Sequence, residues 1–425
     1  MKKLKIGLFG LGTVGSSVVD ILRKRKSEFK KDGYEFVLKK ACDKDIRKKR
    51  CLSGRENLFT SSPAQIMNDP EIDVVIELIG REKPAREIIE GALDRGKSVI
   101  TASKKIVAGE GSVLVRKAEK NDCYFGFRGA ITGCHIVMDQ LVHGGPINSV
   151  IGVFNGTCNY ILTRMKERGE ERDDAVREAQ RLGYAERDPS DDIDGFDTEY
   201  KTRILSMLVF GFKPPAKRML VEGIRTVALE DIRFADQLGY EIRLLGVLNR
   251  HRSAMDVRVH PALVPQGTKF AMLKGVQNCI EIDDVLRGRG GAMYEGAGGA
   301  PAASAVIQDL IDAADGVPIN WHSRDKTGGK MSLVPMAMIR GRYYLLFKAL
   351  NRPGVLAGIS SVLAENSINI AKVEQKEEEK KGLVPIVLIT DEASEANIRK
   401  ALRRISRIDV IKGEPKLIRI VDSVL

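Results

Sequence analysis

FGLGTVG, residues 9–15, lies between a short apolar run and an amphipathic stretch. The apolar run predicts a buried strand, and the spacing of the following residues predicts a helix. In this strand–turn–helix setting Gly10 permits a tight turn, Gly12 lets the backbone approach a pyrophosphate, and Gly15 lets the helix pack on the strand. The free N–H groups at the start of the helix would face the anion. The stretch therefore predicts a dinucleotide-binding site.

Strand and helix patterns alternate outward from this loop. FVLKKACD, IDVVIELIG and SVITAS each predict a strand, and PAREIIEGALDRG predicts a helix that ends at a glycine. Strands that alternate with helices form a parallel, doubly wound sheet. We predict a Rossmann-type domain over residues 1–132, with a helix at residues 300–316 packing back on it.

The identity of the dinucleotide stays open between NAD and NADP. Thr13 and Val14 would offer backbone N–H groups to either one. Asp43 closes the second predicted strand, where a carboxylate can hold the ribose hydroxyls of NAD. Lys44 begins a group of bases that could meet a 2′-phosphate or simply form a solvated helix start: Lys44, Arg47, Lys48 and Arg50.

The remainder of the chain changes in character. Residues 133–320 combine long helical patterns, one of them over residues 231–248, with strand-like runs, and predict an α+β domain for substrate binding, catalysis and dimerisation. Residues 321–341 are polar and aperiodic, which predicts a linker. Residues 342–425 show the order strand, helix, strand, strand, helix, strand, which is ferredoxin-like. The charged run at residues 376–381 predicts a solvated hairpin tip.

The amino-acid composition argues against several classes of partner and site. The 425 residues carry a formal charge of +12, but without basic–aromatic interleaving this predicts an ion-paired surface and no nucleic-acid partner. No apolar run of about 18 residues predicts a membrane span, and no signal peptide is expected. The six cysteines are scattered, which predicts buried free thiols in a reducing cytoplasm. The five histidines lack metal-ligand spacing, so no metal site is expected.

A second stretch, LGYAERDPSDDIDGFDTEYK at residues 182–201, gathers seven acidic residues before a single lysine. Asp197 and Lys201 are four positions apart and share one face of a predicted helix. Spacing alone leaves two interpretations open. The two residues form either an exposed ion pair of little energetic weight or part of a functional site.

This stretch resembles the characteristic segment of homoserine dehydrogenases. Four further stretches resemble segments of that family in the same order: IELIG, VITASK, FNGTCNYILTRM and EGAGGAPAASAV. The resemblance covers almost all of residues 4–315. It implies NAD(P)-dependent interconversion of L-homoserine and L-aspartate 4-semialdehyde, a reaction that leads toward threonine and methionine.

The resemblance also implies roles for individual residues. Lys201 would be the catalytic acid/base, a task that suits lysine because burial can lower the pKa of an amine. Asp197 would orient that lysine and help to bind substrate. The remaining substrate contacts would be Thr157, Tyr184, Glu186 and Asp192, where carboxylates suit an α-ammonium group. No special role is expected for the other acids of the stretch, which are interpreted as solvated or capping residues: Asp188, Asp191, Asp194 and Glu199.

Lys104 follows the strand SVITAS, at the edge of the sheet where doubly wound folds bind ligands. The resemblance places it at the junction of cofactor and substrate, although Ser103 stands where the family has asparagine. Lys105 is expected to face solvent. Gly80 and Gly298, in IELIG and EGAGGAPAASAV, would contact the cofactor.

Two departures from the family concern a monovalent cation. Phe127 stands where relatives carry a glutamate that begins a Na⁺ site built mainly from backbone carbonyls, and His135 stands in place of a proline. The loss of that carboxylate leaves binding of Na⁺ in question. His135 is interpreted as structural.

The C-terminal segment resembles an ACT domain, a module that binds amino acids between paired copies. NRPGVLAGISSVLAEN carries the likeness, with Asn351 where aspartate is usual and Gly354 opening a helix whose N-terminus can receive a carboxylate. Threonine feedback inhibition and a purely dimerising role both stay open. Self-association as a homodimer or homotetramer is expected.

Two other functions remain open from the sequence. One is another amino-acid or semialdehyde oxidoreductase of the same build. Its phosphorylating form would need a nucleophilic cysteine, and Cys158 is the only cysteine inside a substrate motif. An amino-acid sensor that keeps the fold without turnover is the other.

Overall fold

The computed structural model describes residues 1–52, 54–132, 134, 138, 146–296, 298–317, 331–375 and 382–422. These fall into two compact units. The first comprises Met1–Gly145, Arg203–Lys213 and Tyr294–Gly328, and the second comprises Pro146–Thr202, Pro214–Met293 and Gly329–Leu425. The predictions for His135, for the hairpin tip at 376–381 and for linker residues 321–330 lie outside the described residues.

The strands are β1 (Lys2–Phe9), β2 (Tyr34–Cys42), β3 (Phe59–Thr60), β4 (Val74–Glu77), β5 (Ser98–Thr101), β6 (Phe125–Gly126), β7 (Ile147–Val153), β8 (Leu220–Val221), β9 (Tyr240–His251), β10 (Ala254–Pro265), β11 (Gln277–Asp284), β12 (Gly288–Glu295), β13 (Ser332–Leu333), β14 (Arg340–Leu350), β15 (Ile370–Gln375), β16 (Leu383–Thr390), β17 (Ala393–Ser394) and β18 (Lys416–Ile420). The helices are α1 (Thr13–Lys24), α2 (Lys26–Lys31), α3 (Ala64–Met67), α4 (Glu82–Asp94), α5 (Lys104–Lys120), α6 (Gly156–Arg168), α7 (Arg172–Arg181), α8 (Ser190–Ile193), α9 (Phe196–Phe210), α10 (Leu229–Gln237), α11 (Gly299–Asp315), α12 (Val355–Glu365) and α13 (Glu395–Ile405). No helix among the described residues combines the length and apolar character needed to cross a bilayer.

The first unit contains a six-stranded sheet in the order β3-β2-β1-β4-β5-β6, and every pairing is parallel. This confirms the predicted Rossmann-type architecture. The strand order reverses between β1 and β4, and folds of this kind bind ligands beyond the carboxyl ends of the strands at that point.

Helix α11 packs against α1 in this unit although nearly 300 residues separate them. Val306 and Leu310 of α11 share one apolar core with Ile6, Leu8 and Val18. The burial of these side chains against β1 and α1 explains why a late helix belongs to the first unit.

The second unit is built on a sheet in the order β12-β11-β7-β9-β10-β18-β14-β16-β15. Its last four strands, with α12 and α13, form the C-terminal module with the predicted ferredoxin-like order. Strand β18 also pairs in parallel with β10, through Ala262 opposite Arg419 and Leu263 opposite Ile420. The C-terminal module and the α+β part of this unit therefore share one hydrogen-bonded sheet.

The prediction of one long helix over residues 231–248 was wrong. Helix α10 ends at Gln237, Gly239 has a φ of +85° that breaks the helical path, and β9 begins at Tyr240. Strand β9 is buried on both faces from Glu241 to Leu248. A strand without an exposed face has no apolar–polar alternation, so its sequence resembles a buried helix.

Two glycines leave room for one aromatic ring in this sheet. Gly152 of β7 lies opposite Gly246 of β9, and the ring of Phe154 occupies the space where their side chains would be. A Cβ atom on Gly246 would lie 2.6 Å from a ring carbon of Phe154, closer than van der Waals contact allows. The two glycines therefore determine where Phe154 lies.

Replacing Gly246 with alanine should overpack this space and lower the free energy of unfolding by about 1–3 kcal/mol. Gly109 of α5 is a matched control, since a Cβ there meets no atom within 4 Å and alanine favours a helix. Thermal unfolding followed by circular dichroism should show a lower melting temperature for Gly246→Ala but not for Gly109→Ala. Equal melting temperatures for both variants would contradict the packing argument.

Candidate functional site

Lys201 is the centre of the polar cluster in the second unit. Its side-chain amine donates to the backbone oxygen of Phe154 at 2.7 Å and lies 2.9 Å from Oδ2 of Asp197, one turn earlier in α9. Lys201 is only 5% exposed and Asp197 only 4%. The pair is thus not the exposed ion pair that spacing alone allowed, and each buried charge needs the other as a partner.

Asn155 joins this pair to the acidic loop. Its amide nitrogen donates to Asp192 Oδ1 at 2.6 Å and to Asp197 Oδ2 at 2.9 Å. Its amide oxygen accepts from Cys158 N at 2.7 Å, which makes Asn155 the N-cap of α6. Asn155 was not predicted as a site residue from the sequence. The available signal was an asparagine directly before a helix start, which indicates a cap but not the second role.

The other predicted substrate residues lie around the same helix start. Thr157 Oγ1 donates to the backbone oxygen of Tyr184 at 2.7 Å, which ties α6 to the loop after α7. The ring of Tyr184 is partly exposed, with its centroid 5.1 Å from that of Tyr160. Glu186 follows in the same loop and is exposed. The structure thus joins Asp192, Asp197 and Lys201 through Asn155, and places Tyr184 and Glu186 in the more exposed part of the same loop.

The remaining acids of the loop differ in their surroundings. Asp188 accepts from Ser190 N and Oγ, at 3.1 and 2.6 Å, and Asp194 forms a bidentate pair with Arg225 at 2.6 and 2.9 Å. Asp191 is exposed. The interpretation of Glu199 as solvated or capping was wrong, because it is 4% exposed. Neighbouring positions of α9, such as Thr198 and Thr202, are also buried, so this part of the helix has no solvent-facing side.

Cys158 lacks the properties of a nucleophile. The thiol is fully buried, with Sγ 3.1 Å from the backbone oxygen of Asp192. Burial raises the pKa of Cys158 well above its usual range, and nearby Asp192 adds to the effect. A thiol that stays protonated reacts poorly. The five cysteines whose state is described are free, and Cys123 is only partly buried, unlike the prediction of buried thiols.

The glycine loop of the first unit has the geometry its sequence predicted. Gly10 has a φ of +91°, and a Cβ there would lie 2.5 Å from the backbone oxygen of Leu78. A Cβ on Gly15 would overlap the backbone oxygen of Gly10, whereas one on Gly12 would meet no atom within 4 Å. The loop is therefore closely packed at its first and third glycines and open at the second.

Asp43 is bonded to this loop. Its carboxylate accepts from Leu11 N at 2.8 Å and from Asp45 N at 2.9 Å. Arg47, one of the bases considered for a 2′-phosphate, forms a bidentate pair with Asp45 at 2.9 Å for both bonds. Lys44 is exposed. Asp43 thus holds the end of β2 against the glycine loop, and each of its oxygens keeps a further lone pair for a hydroxyl donor.

Gly298 precedes α11 with a φ of +122°, a conformation that strongly favours glycine. A Cβ on the next residue, Gly299, would lie 2.8 Å from the methyl group of Thr13. The N-termini of α1 and α11 are therefore neighbours, and both present backbone N–H groups. Gly80 lies beyond the end of β4, where a Cβ would meet no atom within 4 Å.

Lys104 is the first residue of α5, after Ser103 at the N-cap. A cation at a helix N-terminus is unfavourable by about 0.3–1 kcal/mol because it opposes the helix dipole. Lys104 is half-buried and Lys105 is exposed. Local helix stability therefore gives no reason for Lys104 to be at this position.

Glu77 was not singled out from the sequence. It is the last residue of β4 and is fully buried. Its carboxylate accepts from Thr101 Oγ1 at 2.6 Å and from Ile79 N at 2.5 Å. Burial raises the pKa of Glu77 to about 7, although both hydrogen bonds favour the charged form. The available signal was a carboxylate that ends an otherwise apolar strand.

Among the described residues no cluster of three His, Cys, Asp or Glu side chains could hold a metal ion. Phe127 is buried, with its ring centroid 5.9 Å from that of Phe125, and offers no carboxylate. Its neighbour Arg128 is buried and pairs with Asp312 at 2.6 Å.

The C-terminal module is linked to the acidic loop through the buried Arg419 and its two carboxylate partners. Arg419 of β18 pairs with Glu395 of α13 at 2.5 Å and with Glu222, just beyond β8, at 2.7 Å. The next residue, Gly223, packs on the backbone of the acidic loop, where a Cβ would lie 2.5 Å from the Cα of Asp194. A continuous set of contacts thus joins the module to the loop that carries the acids predicted to bind substrate.

Family models match three parts of the chain. Residues 135–311 match "Homoserine dehydrogenase", residues 10–128 match "Homoserine dehydrogenase, NAD binding domain", and residues 343–408 match "ACT domain".

Relatives of similar length bear the same name. The homoserine dehydrogenase of Pseudomonas aeruginosa is 33% identical and that of Neisseria gonorrhoeae 34% identical, each match covering 99% of both chains. The crystal structure of a homoserine dehydrogenase from Thiobacillus denitrificans is similar with a TM-score of 0.89 and 36% identity over 99% of both chains. A hyperthermophilic archaeal homoserine dehydrogenase mutant in complex with NADPH is similar with a TM-score of 0.63 and 26% identity, covering 74% of this chain and 99% of its own.

The raised pKa of Glu77 predicts a pH-dependent stability. The carboxyl group titrates near 4.5 when unperturbed and near 7 when folded, so the folded state binds the proton more tightly. The resulting stabilisation is full below about pH 4.5 and is lost as the pH rises through about 7, a difference of about 3 kcal/mol.

The glutamine in Glu77→Gln cannot titrate. The free energy of unfolding of Glu77→Gln minus that of the parent should therefore increase by about 3 kcal/mol from about pH 4.5 to pH 8. Denaturant unfolding of both proteins over that range measures the difference. All other titrating groups are present in both proteins, so their contributions cancel in the difference between the two free energies of unfolding. Parallel pH profiles for the two proteins would contradict the prediction.

Proposed function

The chain belongs to the homoserine dehydrogenase family, and from this premise we propose that it interconverts L-homoserine and L-aspartate 4-semialdehyde with Lys201 as the acid/base. It is an NAD(P)-dependent oxidoreductase by that membership. One observation carries the proposal for Lys201, namely its buried amine bonded to the backbone oxygen of Phe154 and to Asp197.

Lys201 has the means to exchange one proton with substrate. A lysine ammonium has three N–H donors, and the contacts with Phe154 and Asp197 account for two of them. We assign the third to the oxygen on the reacting carbon. During reduction Lys201 gives that oxygen a proton, and during oxidation it takes the proton back. The bound nicotinamide supplies or accepts the hydride.

Asp192 is proposed to hold the α-ammonium group of the substrate, together with Glu186. Asn155 already donates to Asp192 and to Asp197, so both carboxylates have defined positions before substrate arrives. Thr157 and Tyr184 would complete the contacts with the substrate. The acids concentrate in this loop of a basic chain because a desolvated ammonium requires carboxylate partners.

The cofactor is assigned to the first unit. We propose that the pyrophosphate lies on the glycine loop, against the backbone N–H groups that follow it: Gly10, Gly12, Thr13, Val14 and Gly15. Gly298 would bring the second helix N-terminus to the same anion. Asp43 and Lys44 would meet the adenosine ribose, and Gly80 and Lys104 the nicotinamide end.

The C-terminal module is proposed to bind threonine and thereby inhibit the enzyme. Gly354 has a φ of +87° and directly precedes α12, whose N-terminal N–H groups can donate to a carboxylate. The pairing of Arg419 with Glu222 supports a mechanical link from this module to the acidic loop. We propose a homodimer or homotetramer, since such modules act in pairs, and a reducing location such as the cytoplasm, which suits the free thiols.

Lys201→Met should reduce kcat for homoserine oxidation by about 10²–10⁴-fold, because the proton-transfer group is removed while the apolar part of the side chain is kept. The appearance of NADH or NADPH with homoserine measures the rate with each dinucleotide. Lys416→Met is the matched control, since Lys416 of β18 pairs with the buried Asp231 of α10, outside the acidic loop. The control should retain the parent rate, and a parent rate in Lys201→Met would refute the assignment.

Threonine should lower the initial rate, and Asn351→Ala should weaken that inhibition by about fivefold or more. The residue lies just before Gly354, where it can contact the ammonium of an amino acid. Asn369→Ala removes an exposed asparagine of the same module and serves as control. Rates unaffected by threonine would leave the module a dimerising element and contradict the proposal.

A further inference from the structure

The ends of β4 and β5, in the first unit, are joined to each other by a hydrogen bond between side chains. Glu77 and Thr101 are the last residues of these neighbouring parallel strands and lie opposite each other in the register. Each is followed three residues later by a residue assigned to the nicotinamide end of the cofactor, Gly80 after Glu77 and Lys104 after Thr101. The two loops therefore leave the sheet side by side.

Each strand-ending side chain holds the backbone of its own loop. The Glu77 carboxylate accepts from Ile79 N at 2.5 Å, and Thr101 Oγ1 accepts from Ser103 N at 3.0 Å. The Thr101 hydroxyl in turn donates to Glu77 at 2.6 Å. The amides just before Gly80 and just before Lys104 are thus connected through two side chains.

The glycine loop is held against the end of β4 by contacts with Leu78. Leu78, the residue after Glu77, donates its N–H to the backbone oxygen of Phe9 at 2.8 Å. Its own backbone oxygen lies where a side chain on Gly10 would be, 2.5 Å from the Cβ position. Any shift of residues 77–79 would therefore also disturb the turn that begins the pyrophosphate loop.

We propose that Glu77, acting through Thr101, is a positioning residue that sets Lys104 and Gly80 relative to the bound dinucleotide. The inference rests on the roles proposed above for Lys104 and Gly80. Neither Glu77 nor Thr101 need touch the substrate, since both act through the loops whose amides they hold.

Energetics favour this role over a purely structural one. The surrounding strand residues are apolar and fully buried, including Val75, Ile76, Val99 and Ile100. A carboxylate in such surroundings loses its hydration and destabilises the fold, as its raised pKa indicates. Two loops could be joined by a neutral side chain without that cost. The buried Glu77 carboxylate therefore disfavours local stability at the edge of the sheet where ligands bind, a feature typical of functional sites.

The decisive variant is Thr101→Val, which keeps the side-chain shape but removes the hydroxyl that joins the two loops. It should lower kcat by about tenfold to a hundredfold, the expected effect of displacing a reacting group by about 1 Å. The dissociation constant of NADH or NADPH, measured by nucleotide fluorescence, should change by less than about threefold, because the bond from Leu78 N to the backbone oxygen of Phe9 does not involve Thr101 and still holds residues 77–79 against the pyrophosphate loop. Thr101→Ser restores the hydroxyl and should restore most of kcat.

Thr390→Val is the matched control. Thr390 is as fully buried as Thr101, and its hydroxyl oxygen accepts from Tyr343 N at 3.1 Å in the C-terminal module. The Thr390→Val variant loses a comparable hydrogen bond in the second unit, whereas the residues assigned to the cofactor belong to the first. Its kcat should therefore stay within about twofold of the parent value. If Thr101→Val behaves like this control, the inference is wrong.

A double-mutant cycle separates this inference from the assignment of Lys104. If Thr101 acts through Lys104, then Thr101→Val should cause little further loss in a Lys104→Met background. Fully additive losses would overturn the inference while leaving Lys104 functional. A parent rate in Lys104→Met alone would instead refute the assignment of Lys104. Glu77→Gln keeps an acceptor oxygen for Ile79 N and replaces the second acceptor with an amide donor that can still contact Thr101 Oγ1. It should retain more activity than Glu77→Ala, and the reverse order would also count against the inference.

Discussion

The buried contact of the Lys201 amine with the backbone oxygen of Phe154 organises the second unit. A charged amine inside a protein requires an anionic partner and full hydrogen bonding, and Asp197 and Phe154 provide both. The position of Phe154 follows from two facing glycines, because only residues without side chains leave room for its ring. Asn155, the next residue, then connects the same point to Asp192 and to the start of α6.

The first unit follows a related principle. Its polar groups collect at the carboxyl ends of parallel strands, where Asp43 holds the glycine loop after β2 and Glu77 holds two loops after β4 and β5. In each case a carboxylate accepts a hydrogen bond from a backbone N–H group that lies beyond the strand and has no partner within the sheet. The apolar interior of the sheet is thus bounded by a polar edge, and a dinucleotide can bind there.

The C-terminal module is continuous with the sheet of the second unit. Parallel pairing of β18 with β10 and the buried Arg419 between Glu222 and Glu395 fasten it to the part that carries the acidic loop. Removing either carboxylate would leave Arg419 buried with an incomplete set of partners, which is costly. A change of state in the module therefore has a physical route toward the backbone of Asp194 through Gly223.

The fold class, the glycine loop and the family could be predicted from the sequence, because each depends on local patterns: strand–helix alternation, glycines at fixed spacing and several motifs in order. The sequence also placed Asp197 and Lys201 on one helical face. It did not reveal whether that face was buried, and it misassigned β9, since a strand enclosed on both sides carries no alternation. Only the tertiary structure joined Lys201 to Phe154, Glu77 to Thr101 and Arg419 to Glu222. These contacts link residues 24 to 197 positions apart, and their chemistry arises from burial, which depends on what packs around a residue and not on its neighbours in the chain.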